Sequence, residues 1–152
     1  MPTFLCLCNF VFAGYASMYT SDLSLYMNKD KEVLFNPKFG RHYISTLSSY
    51  RGYGVGFIPV DNGTYVNVDL EYGRLKSFSS SRKLTGSLVL ANRYLSRSHI
   101  DCDLFVVLGF IQRLSSRYVL RVSGGLPLLS RDRYVSMVSF GIHYFKGKGI
   151  SY

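Results

Sequence analysis

Few residues in this chain could do chemistry, and their spacing decides what kind. Histidines stand at 42, 99 and 143. His99 is followed at alternate positions by Asp101 and Asp103, and an imidazole beside carboxylates can move protons. No His-x-Ser spacing supplies a nucleophile: His42 precedes Tyr-Ile-Ser45, and His143 precedes Tyr-Phe. Cys6, Cys8 and Cys102 have no partners at zinc-ligand spacing. Cys102 falls on an apolar face and reads as a small hydrophobe. The histidines read as structural polar residues, and neither catalysis, a cofactor nor a metal is expected.

A second constellation is more regular. Asn67, Asp69 and Glu71 alternate with Val66, Val68 and Leu70. In a strand, alternate residues share a face, so one side is strongly polar and the other oily. Arg93 and Arg121 occupy the polar side of two later stretches with the same rhythm. Carboxylates and arginines enclosed together must pair. These five residues are the expected polar network of a narrow interior.

The elements that position them follow from the same period of two. Residues 17–27, 64–72, 84–94, 100–111, 118–123 and 134–145 alternate, and residues 39–60 form a longer extended region. Splitting that region near 48–52 gives eight strands in all. Tyr53-Gly-Val-Gly-Phe57 alternates large residues with glycine, which lets neighbouring side chains approach closely. Asp61-Asn62-Gly63 is the clearest hairpin turn. Polar or charged stretches at 28–38, 77–83, 95–99, 112–117 and 126–133 read as connections. The last strand places Tyr134, Ser136, Val138, Phe140, Ile142 and Tyr144 on one oily face. With Val66, Val68, Leu70, Leu104 and Val106, Phe140 and Ile142 make the expected lipid-facing belt.

Composition agrees with strands that alternate between lipid and lumen. Hydrophobic residues make up 47% and charged residues 18%, against about 25% charged in ordinary soluble domains. Yet no run approaches the roughly 20 apolar residues of a membrane helix. Tyr and Phe are plentiful at 13 and 11, and Trp is absent, so Tyr and Phe would have to form any aromatic girdle. The net charge is +9. The basic residues gather at the connections, with Lys38, Lys83 and Arg93 counted among them. No nucleic-acid recognition motif accompanies them. Basic rims suit the phosphate level of a membrane.

Residues 1–16 carry an apolar run of signal-peptide length with small Gly14 and Ala16. The form is atypical, since the first basic residue is Lys29; a first strand or an apolar plug is the alternative. Residues 17–145 read as the barrel and 146–152 as a flexible tail.

Three stretches carry a family resemblance: Gly-Tyr-Gly-Val-Gly-Phe at 52–57 with VNVDLEYG at 66–73, residues 84–94, and SFGIHYF at 139–145. Together they resemble the small outer-membrane barrels, the OmpA-transmembrane-domain or OmpX-like group. That resemblance implies an all-β, single antiparallel up-and-down transmembrane barrel of eight strands in a bacterial outer membrane. It implies a structural, surface-interaction or minor-pore role without catalysis. Expected partners are membrane lipid or lipopolysaccharide and an extracellular ligand, with no nucleic acid, for a monomer. A soluble barrel binding an apolar ligand, as lipocalins do, is the alternative. It would reverse the faces and bury the oily belt. A lipid-modifying barrel enzyme is a third reading and needs a His-Ser or Asp-His pair at one rim.

Overall fold

The computed structural model describes residues 16–46, 49–61, 63–96, 99–129 and 134–146. The signal-peptide reading of residues 1–16 and the tail reading of 146–152 lie outside them except for Ala16 and Lys146, which are strand; Cys6 and Cys8 lie outside them too.

Period-two alternation does produce strands throughout. They are β1 (Ala16–Asn28), β2 (Val33–Thr46), β3 (Ser49–Val60), β4 (Gly63–Ser77), β5 (Arg82–Ser96), β6 (His99–Arg113), β7 (Tyr118–Leu129) and β8 (Tyr134–Lys146). Each pairs antiparallel with its sequence neighbour, and β1 pairs with β8 to close the barrel. Closure leaves no edge strand to template aggregation.

The stagger can be read from the register. Cα partners run from Tyr26 through Met137, Gly125, Val107, Ser87, Gly73, Tyr50 and Ile44 to Ala16. One circuit therefore shifts about ten residues along β1, which tilts the strands by roughly 40°. Strands of 12 to 15 residues then stand about 30–38 Å tall at roughly 3.3 Å per residue, enough to cross a hydrocarbon core of about 30 Å.

Two stretches expected to be connections are largely strand instead, and strand also takes the ends of the others, at 77, 82–83 with Lys83, 95–96, 99 and 112–113. Residues 33–38 belong to β2 and residues 126–129 to β7. Charge at Lys38 and proline at 37 and 127 hid them. The β2–β3 ladder starts at Lys38, one residue beyond Pro37, whose nitrogen has no proton to donate. The gaps between strand ends shrink accordingly to two or four residues each. In the β1–β2 turn, Asn28 and Glu32 exchange backbone and side-chain hydrogen bonds at 2.8–3.0 Å, and Lys31 takes φ 66°. In the β3–β4 hairpin Val60 pairs with Gly63, whose φ of 144° suits glycine alone.

The oily face is outside. Phe39 (65% exposed), Leu108 (69%) and Leu126 (66%) stand fully outward. Val66, Leu70, Val106, Phe140 and Ile142 are exposed, and Val68 and Leu104 are half-buried on the same face. Tyr134 departs from the expected pattern: it is buried inside. Met27 pairs with Ser136 and Asn28 with Tyr134, so Val135 is bulged out and the pleat inverts behind it.

The interior is less polar than expected. Two apolar clusters fill its ends. One holds Tyr26, Ile58, Val89, Phe105, Val107, Tyr134 and Met137 near the β1–β2 turn. The other holds Met18, Ile44, Tyr50, Ile111, Val119 and Phe145 at the rim where β1 begins and β8 ends. Polar side chains form the layer between them.

Candidate functional site

The middle layer is organised by Glu71. Its carboxylate, on the polar face of β4, accepts two hydrogen bonds from Arg121 of β7, at 2.5 and 3.0 Å. Tyr50 Oη donates to it at 2.7 Å and Ser87 Oγ at 2.6 Å. His42 Nε2 lies 3.4 Å from its other oxygen. Four strands thus converge on one carboxylate, and the bidentate guanidinium fork fixes its plane.

A second carboxylate on the same strand face, Asp69, meets Lys38 Nζ at 2.7 Å and accepts from Asn67 Nδ2 at 2.7 Å. Asp22 of β1 meets His143 Nε2 at 2.9 Å. The His42 and His143 rings stand edge to face, 5.4 Å apart, and join the Glu71 and Asp22 groups. Towards the far end, Arg93 pairs with Asp103 and lies over the rings of Tyr26 and Tyr134, 4.9 and 4.2 Å from their centroids. Stacking on aromatic faces suits a guanidinium that burial has stripped of water.

Of the five residues singled out from sequence, all point inward. Glu71 and Arg121 meet, and Asn67 bonds Asp69. Arg93 joins neither Asp69 nor Glu71. Its partner is Asp103, its diagonal neighbour across the β5–β6 ladder. Sequence reasoning left Asp22, Lys38, Tyr50 and Asp103 out of this network, and read His42 and His143 only as polar lumen or rim residues without partners. Parity alone could have added Asp22, between Thr20 and Ser24, and Asp103, before Phe105. Lys38 carried no such signal, because its stretch read as a loop. His99 begins β6, and its side chain is outside the described residues.

Glycines make room for the layer. A Cβ on Gly52 would overlap the His42 ring, and one on Gly56 would overlap Asn36. A Cβ on Gly141 would strike the Asp22 carboxylate. Gly141→Ala is expected to destabilise the barrel by about 1–3 kcal/mol, because the hydrogen-bonded Asp22 and His143 side chains must shift together. Urea titration of the refolded protein in detergent checks this; an unchanged midpoint would mean that Asp22 can yield freely.

Imidazole–carboxylate pairs can move protons, but these are shut in. The cavity beside them measures about 30 Å³, room for a water or two and no substrate. Among the described residues no three side chains are grouped to hold a metal. What the layer can do is brace eight strands from within and hold charge where water is scarce.

No family model and no curated protein matches the sequence. Solved structures do match. A chain from a study of de novo designed transmembrane β-barrels superposes with TM-score 0.63 at 17% identity, covering 88% of this chain and 98% of that one. The N-terminal barrel domain of Pseudomonas aeruginosa OprF gives TM-score 0.67 at 11% identity, covering 88% and 98%. Neisserial surface protein A gives 0.60 at 12% identity, covering 87% and 97%. The fold is that of the small outer-membrane barrels. At these identities the likeness concerns the fold alone.

Proposed function

We propose that this chain is an outer-membrane β-barrel protein with a structural role, non-catalytic and closed to solute flow. One observation carries the reading: the oily residues form the outer belt while Asp22, Asp69, Glu71, Arg93 and Arg121 are enclosed. The lipocalin-like alternative requires the opposite. Apolar clusters at both ends of the lumen argue against a standing pore. Connections of two or four residues leave little chain to build a protruding adhesive surface, so any surface contact would be made by the rims.

Heat-modifiable gel mobility on fractionated membranes tests the location. The unboiled protein is expected in the membrane fraction with shifted mobility; a soluble chain without a shift overturns the reading. Planar-bilayer recording tests closure. The expected trace shows no sustained conductance, and steady opening of the unmodified protein would restore the minor-pore role.

A further inference from the structure

The charge on the outer surface is distributed unequally between the two ends. Arg51, Arg74, Lys76, Arg82 and Lys146 stand on the outer face towards the rim where β1 begins and β8 ends, and Arg41 stands on the same face deeper along β2, at the register of Tyr53 and Leu70. Lys83, Arg113 and Arg117 lie at the same rim, and no Asp or Glu among the described residues does. The described acidic residues are in the lumen or at the far end, where Asp30, Glu32, Asp61 and Asp101 accompany Lys29 and Lys31. Among the described residues this rim therefore carries cations and no carboxylate. Aromatic rings accompany it: Arg41 lies 5.3 Å from the Tyr19 centroid and 4.9 Å from that of Tyr43.

From this rim a groove of about 290 Å³ runs up the outer wall. Leu70, Leu88, Leu90 and Leu104 line it, with Tyr72, Arg51 and Gly52 at the end nearer the rim; Glu71 also borders it, its carboxylate held in the lumen by Arg121. Tyr72 is the register partner of Arg51, and Arg74 pairs with Ser49 two residues along β3. The result is a leucine-lined channel of acyl-chain character, headed by guanidinium groups that match a phosphate bidentately.

We infer that this groove binds an anionic glycerophospholipid, its phosphate at Arg51 and Arg74 and an acyl chain along Leu70, Leu88, Leu90 and Leu104. The inference rests on the membrane-barrel reading. The outer cations of β8, β3, β4 and β5 lie towards this one end of the barrel, where a leaflet would present its headgroups. Cations near an anionic surface attract it, so the rim favours such a leaflet.

The absence of tryptophan allows a direct test on the full chain. Val106→Trp places a probe beside the groove, and Phe140→Trp places one on β8, away from it. Both are refolded into phosphatidylcholine vesicles containing brominated phosphatidylglycerol, and only samples with shifted gel mobility are read. Bromine is expected to quench Val106→Trp at least about twofold more than Phe140→Trp. The excess should vanish in high salt, in the Arg51→Gln/Arg74→Gln background, and with brominated phosphatidylcholine. Equal quenching of the two probes overturns the lipid site while leaving the barrel reading intact. Excess quenching that survives the double substitution overturns it too. So does an excess removed by competing soluble heparin at low salt, which would make the rim a general polyanion surface. Failure of every sample to fold in vesicles overturns the barrel reading and this one with it.

Discussion

Arg121→Met is expected to destabilise the refolded barrel by about 3–5 kcal/mol, the largest effect of any single change in the lumen. The guanidinium supplies two of the hydrogen bonds to Glu71 and one to Tyr50 Oη, at 3.2 Å. Removing it leaves a carboxylate inside the wall with only Tyr50, Ser87 and His42 around it. Tyr50 and Ser87 cannot return the lost positive charge, and the apolar cluster below excludes bulk water. The pair itself is a weaker asset than its rupture suggests, because desolvating two ions offsets much of their attraction. The double change Glu71→Leu/Arg121→Met should therefore recover most of the loss. Urea-induced unfolding in detergent, followed by tyrosine fluorescence and gel mobility, measures both. If the double variant is as unstable as the single one, the layer contributes through packing and not through charge balance.

Phe140→Arg is expected to cost about 2–4 kcal/mol for folding into a bilayer, and Tyr144→Arg only about 0–1 kcal/mol. Phe140 is 46% exposed on the outer face midway along β8, where a bilayer would present hydrocarbon. Tyr144 stands near the strand's end, at the level of Lys146, where an arginine can reach headgroups. A barrel that faces water would tolerate both changes alike, since neither removes an interior contact. The measurement is the difference in unfolding free energy between vesicles and the soluble or detergent-solubilised state. Equal, small costs at both positions in vesicles would count decisively against a lipid-facing belt.

Both expectations draw on alternation that is visible in the sequence, and the limits of that reading are specific. The faces of β4 are plain because Val66, Val68 and Leu70 alternate with Asn67, Asp69 and Glu71 without interruption. The same holds for most of β1, β5 and β8. It fails where polarity along the chain stops tracking the pleat. Lys38 sits beside Pro37 in a charged run, yet it lies inside a strand, because Asp69 on β4, past the glycines of β3, neutralises it. Leu126 to Leu129 continue β7 although proline and turn residues suggested a connection. Tyr134 points inward because one bulged residue, Val135, shifts the register against β1.

By itself the sequence determined the strands, their two faces and so the barrel class, because a period of two is a local property of the backbone. It also placed glycine in β3 where close approach is needed. The partnerships were decided only by the tertiary structure. Arg121 reaches Glu71 across 50 positions of sequence, and His143 reaches Asp22 across 121. Such contacts depend on the ten-residue stagger of closure, which no local pattern encodes. The same closure gathered the scattered basic residues at one rim and set the leucines of β4, β5 and β6 beside Arg51. Strand identity is written residue by residue, whereas the lumen network and the lipid groove exist only once eight strands share one register.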